Sequence, residues 1–227
     1  MKTIAQISLG ICGVVGSALF TIACADPATF SNQAEFSAAL IGVPTVLDFD
    51  SLPAGTTIED EATANGITFK YNFNGLPMKV THLYATTSAP NFLGTGDGGM
   101  LHDGDDFTMT FSPSSAVGLY FITADPLLDG DIIVAAGGVT AALQAADIQE
   151  TLPDGSKVYF LGIVDNHEAF SSARIEALAG GFFLYNVDDI ITAPVQPVQL
   201  VAEGLAKVEI DGEFDVEIDS EATPQIN

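Results

Sequence analysis

"FTMTFSPSSAVGLYFIT", Phe107 to Thr123, decides the fold class. Its first five residues alternate apolar and polar, the period-two signature of a half-buried strand. The last eight, "AVGLYFIT" (116–123), are apolar at both parities, as a central strand covered on both faces would be. Between them "SPSS" carries turn chemistry, because Pro113 presets φ and has no N–H to donate. The stretch predicts two strands joined by a turn.

Outward in both directions the same period returns. In "ITFKYNF" (67–73), Ile67, Phe69, Tyr71 and Phe73 face one way and Thr68, Lys70 and Asn72 the other. "TVLDFD" (45–50), "DIIVAA" (131–136), "KVYFLGI" (157–163), "ARIEAL" (173–178) and "FFLYNVDDI" (182–190) add further strands. "LPAG", "ADPLLDGD" and "LPDGS" separate them with residues that favour turns. About eight or nine short strands and no alternation with helices mean an all-β, antiparallel sandwich or barrel. One helix is expected, in "TFSNQAEFSAALIG" (29–42): Ser31 is the N-cap, Phe36, Ala39 and Leu40 recur at helical spacing, and Gly42 ends it.

The ends differ in composition. Lys2, an apolar run from Ile4 to Ile22 and "ACA" (23–25) read as an export signal cleaved after Ala25. Both cysteines fall inside it, so the expected mature chain has no disulfide and no thiol chemistry. Residues 26–193 are expected to form the sandwich, and 194–227 a Pro194 and Pro197 linker followed by an acidic hairpin or tail around Asp211-Gly212. Thirty acidic residues against six basic ones give a net charge of −24. That excludes nucleic acid and anionic membrane as partners, since both are polyanions. The carboxylates serve solubility, or collect divalent cations.

The ordered elements resemble a known module. A helix reading "AEFSAAL" leads into "LDFDSLPAGT" and "GITF", then "GDDFTMTFSPSSAVGLYF", "FLGIVDNHEAFSSARIE" and "FFLYNVDDI". Over roughly residues 29–193 this is similar to the secreted β-sandwich of bacterial exported proteins that carry a PEP-CTERM sorting signal. The resemblance implies a jelly-roll-like sandwich, related in shape to carbohydrate-binding modules, on proteins of the cell surface or matrix. Here the acidic C-terminal segment stands in place of the sorting signal, so release to the medium or the periplasm is expected.

Three sets of residues bear on function. Calcium tolerates loose oxygen cages, and "GTGDGGMLHDGDDF" (94–107) offers Asp97, Asp103, Asp105 and Asp106. Neither an EF-hand nor a glycine-rich repeat spacing is met, so the plain alternative is a turn-rich loop entering the strand at Phe107. The second set pairs the first and last strands of the sandwich. If they are neighbours, Asp48 or Asp50 of "LDFD" meets Asp188 or Asp189 of "VDDI", and like charges would then call for a structural calcium. Strand alternation allows at most three of the four to converge. The third set is Tyr84, Phe92 and Tyr120, aromatics on which a sugar face could stack beside the loop "YATTSAPNF" (84–92).

Enzymatic patterns are missing: His82, His102 and His167 are scattered, and no HExxH or GxSxG is present. The sequence thus points to an exported, non-catalytic module that binds a polysaccharide or another surface polymer. A matrix protein without a specific ligand is the rival, and a secreted hydrolase comes third.

Overall fold

The computed structural model describes residues 27–58, 61–71, 77–178 and 181–195. The expected export signal and acidic C-terminal hairpin lie outside the described residues. In chain order the elements begin with β1 (Ala28–Phe30), α1 (Gln33–Ala39), β2 (Thr45–Leu47), β3 (Thr57–Ile58), β4 (Thr63–Ala64), β5 (Ile67–Tyr71), β6 (Met78–Thr81) and β7 (Phe92–Thr95). They continue with β8 (Leu101–His102), β9 (Phe107–Thr123), β10 (Ile132–Ala136), β11 (Val139–Ala142), β12 (Glu150–Thr151), β13 (Lys157–Val164), β14 (Phe170–Ala177) and β15 (Leu184–Pro194).

The stretch from Phe107 to Thr123 is one strand of 17 residues, not two strands with a turn. Pro113 is tolerated because it lies where the strand changes partners and loses ladder bonds anyway. Up to Thr110, β9 pairs with β5 and β14; from Ala116 it pairs with β13 and β15. The β14 register slips between Phe170 and Ser172 at this corner. A strand that switches sheets through a bend is how orthogonal layers are joined.

Two antiparallel layers result. One runs β11-β10-β14-β9-β5-β4, and the other runs from β13 through β9 and β15 to β7, β6 and β3. Their inner faces share one core, with Phe69, Phe107, Met109 and Ile175 from the first and Leu119, Phe121, Leu161 and Val187 from the second. The protein is an antiparallel, jelly-roll-like β-sandwich with one short helix.

The helix covers part of the second layer's outer face. Its N-cap is Asn32, one residue later than expected; Asn32 Oδ1 accepts from the N–H groups of Ala34 at 2.9 Å and Glu35 at 3.1 Å. Phe36, fully buried, lies over Gly118 and Gly162, which face each other across β9 and β13. A Cβ on Gly162 would stand 2.5 Å from Phe36 Cδ2, and one on Gly118 2.6 Å from Phe160 Cζ. The glycine pair is the notch that lets the helix sit down.

The expected strand 45–50 ends at Leu47. Phe49 takes φ +60 so that its ring reaches the core beside Phe69, at 6.4 Å between centroids. Asp48 and Asp50 therefore sit in a turn, closed by the Asp50 N–H donating to Asp48 Oδ1 at 3.1 Å, and not on one strand face. At the other end, Pro194 belongs to β15 and pairs with Ser114, where the sequence placed the start of a linker.

Candidate functional site

The outer face of β15 carries Asp188, opposite Tyr120 of β9; the next paired residues are Ile191 and Gly118. Three steps on one strand against two on the other make a bulge, and Asp189 occupies it at φ +47. Bulges re-aim side chains, and aspartate tolerates the left-handed region better than most residues. On its other edge β15 pairs with β2, Ile190 against Leu47. The "LDFD" and "VDDI" strands, β2 and β15, are thus neighbours, and the turn with Asp48 and Asp50 comes up beside Asp189.

Residues 82–91, between β6 and β7, close over this point. One oxygen of Asp188, Oδ2, accepts from the Thr86 hydroxyl, the Thr87 hydroxyl (3.1 Å), the Ser88 N–H (2.9 Å) and the Ser88 hydroxyl (3.0 Å). The other, Oδ1, accepts from the Asp189 N–H at 2.8 Å. Asp188 has no exposed surface. Burial pushes its pKa up to about 7, against the Thr86 hydroxyl, which favours the anion, and with the charge of Asp189 adding to the rise. Asp189 is also raised, first by burial; the hydroxyls of Thr87 and Ser88 oppose this, and the charges of Asp48 and Asp50 add to it. Asn91 ties the loop's end down, its N–H donating to Asp50 Oδ1 at 2.9 Å and its Nδ2 to the Leu52 carbonyl at 2.9 Å.

The three aromatics named from the sequence differ in exposure, and of them Tyr84 and Phe92 pack on each other. Phe92 is fully buried and is corrected from ligand platform to support: Tyr84 packs on it at 6.4 Å, with 33° between the rings. Tyr84 is 46% exposed. Tyr120 is half-buried and rests edge-on against Phe160 at 5.2 Å. Burial, then the charges of Asp189 and Glu150, push its hydroxyl up to about 12. Sequence reasoning missed Thr86, Thr87 and Ser88. Their polarity was visible, but nothing local showed that they close on a carboxylate about a hundred residues away.

The glycine-rich stretch 94–107 is a turn assembly in which the carboxylates of Asp97, Asp105 and Asp106 are engaged by the protein. Asp97 Oδ1 accepts from the Thr95 hydroxyl at 2.6 Å, and its Oδ2 lies 3.8 Å from His102 Nε2. Asp105 Oδ2 accepts from the His102 N–H at 2.7 Å, and the Asp105 carbonyl from the Tyr185 hydroxyl at 2.7 Å. Burial raises the Tyr71 hydroxyl, and its hydrogen bond to Asp105 raises it further. Asp106 pairs with Arg174 at 3.0 Å, while the Asp103 N–H donates to the Phe183 carbonyl at 3.1 Å. A Cβ on Gly94 would stand 2.1 Å from the Gly99 carbonyl oxygen, so the tight return requires glycine. Among the described residues no group of three or more His, Cys, Asp or Glu is arranged to hold a metal ion. Around Asp188 the compensating groups are hydroxyls and amides.

No family model and no curated protein matches this chain. Among solved structures, the CBM22-1 xylan-binding domain of Paenibacillus barcinonensis Xyn10C is 17% identical with a TM-score of 0.34, over 65% of this chain and 100% of that domain. An arabinose-bound α-L-arabinofuranosidase, MgGH51, is 14% identical with a TM-score of 0.27, over 61% of this chain and 25% of that one. The chain thus spans only a quarter of the second. Likenesses this loose carry no argument about site or ligand.

Proposed function

We propose that this is an exported, non-catalytic module that binds a polysaccharide or similar surface polymer on the outer face of its second layer. The observation that carries the reading is Tyr84, 46% exposed and seated on buried Phe92, in the loop whose Thr86, Thr87 and Ser88 close on Asp188, the residue opposite half-buried Tyr120. A sugar ring offers a C–H face and a hydroxyl edge. A tyrosine ring meets the first, and Asp189 with the Thr87 and Ser88 hydroxyls meets the second. The platform is held in place by its support, which lowers the ordering cost of binding.

A hydrolase needs one carboxyl group kept protonated near neutrality as general acid. Asp188 has such a pKa, about 7, but no exposed surface beneath Thr86, Thr87 and Ser88. A glycosidic oxygen cannot reach it. That burial favours binding over catalysis.

The test is affinity electrophoresis through gels containing neutral polysaccharides. Wild type is expected to be retarded by at least one polymer. Tyr84→Ala should abolish that retardation at an unchanged melting temperature, since an exposed ring contributes little to folding. A wild type that runs freely through every polymer would move the weight to the matrix-protein reading. A retarded Tyr84→Ala would place binding elsewhere on the molecule.

A further inference from the structure

Phe182 is 74% exposed, the most exposed aromatic among the described residues. It does not dangle. Phe183 beside it is buried, packs on Tyr185 at 6.0 Å and accepts the Asp103 N–H through its carbonyl, so the backbone is fixed and Phe182 is directed outward. Its ring stands edge-on to His102, at 6.4 Å and 78°. His102 in turn lies 3.8 Å from Asp97. A fixed, exposed aromatic beside polar groups is an unusual use of surface unless something covers it.

Asp97 also lines an open groove of about 400 Å³, shared with Lys79, His82, Leu83, Gly98 and Gly99. Leu83, which also lines the groove, is 62% exposed and precedes Tyr84 directly. Tyr84, Leu83, Asp97, His102 and Phe182 thus follow one another along a track, through chain adjacency, the shared groove, and the approaches of His102 to Asp97 and to Phe182.

We infer that this track is the second half of the polymer site, with Phe182 as a distal stacking ring, and that the ligand is an extended run of a neutral polysaccharide. The inference rests on the Tyr84 platform proposed above and adds to it a ligand length, a charge class and a second contact residue. Charge selects the class: the protein carries −24 against the single lysine, Lys79, that lines the groove beside Asp97, so its net field repels an acidic polymer. Two separated rings fit a chain interior, because a mono- or disaccharide could use only one of them.

The experiment is calorimetric titration with neutral β-1,4-linked gluco-, xylo- and manno-oligosaccharides, from disaccharides to long oligomers. Wild-type affinity should rise with oligomer length. Phe182→Ala should lower affinity for the long oligomers about tenfold and leave the disaccharide unchanged. Leu83→Ala, which removes an exposed apolar side chain from the groove lining, should do the same at an unchanged melting temperature. If Tyr84→Ala abolishes binding while both of these variants keep wild-type length dependence, the track is overturned and the Tyr84 platform stands. If wild type binds none of the oligomers, the platform and the track fall together.

Discussion

Asp188 concentrates the chemistry of the site in one side chain, with four donors converging on one oxygen of a carboxyl group that has no exposed surface. Its folded pKa, about 7, lies above the roughly 3.9 of an unfolded aspartate. The folded state therefore holds the proton more tightly than the unfolded one. The stability this gives is complete below about pH 4 and lost as pH rises to about 7, with no further change above. Asp189, also raised, acts in the same direction. Wild type should melt at a lower temperature at pH 8 than at pH 5. Asp188→Asn, which cannot ionise, should show a smaller drop between the same two pH values. Equal drops in both proteins would mean that Asp188 is not the group responsible. General repulsion from the charge of −24 weakens the fold in the same direction, which is why the difference between the proteins is the readout. At this scale the sequence was legible in part. "LDFD" and "VDDI" announced their meeting, since they open and close the sandwich. The inside-or-outside fate of Phe92 against Tyr84 was not announced, because Tyr84 lies in an irregular loop without a period and Phe92 opens a strand of only four residues, all of them buried.

At the scale of elements, the seating of α1 depends on Gly118 and Gly162 more than on any polar contact. Gly162→Ala would put a methyl group 2.5 Å from Phe36 Cδ2 and 2.9 Å from Phe160 Cε1. It should cost about 1–3 kcal/mol as an overpacked site. Phe36→Ala should cost about 3–5 kcal/mol through the cavity it leaves. In the double variant the added methyl group has room, so the two costs should fall short of their sum in denaturant unfolding. Simple addition would show that Phe36 does not fill the notch. Alternation in 67–71 and in 107–111 was enough to predict β5, the first part of β9 and the core faces of both, and the apolar run 116–123 the central position of the rest of β9. The continuity of β9 through Pro113 was hidden, because proline and serine signal a turn locally while the sheet corner that uses them is built from distant strands. β3, β4, β8 and β12 were equally hidden: two residues carry no period, and only their partners make them strands.

For the whole molecule, two layers close on one core, and the described chain is held together without a disulfide. The helix and the 82–91 loop both lie on the outer face of the second layer. There a polar, hydroxyl-rich surface with a fixed tyrosine survives on a strongly acidic protein. A net charge of this size should repel polyanions, so discrimination between neutral and acidic polymers is expected as well as binding. The most direct measurement is a two-dimensional NMR titration of the labelled protein with a neutral polysaccharide and, separately, with an acidic one. The neutral polymer is expected to shift the amide signals of residues 83–88, Tyr120 and Asp189, and the acidic polymer to leave them in place. Shifts confined to the opposite layer, around β10 and β11, or an equal response to both polymers, would contradict the proposed site.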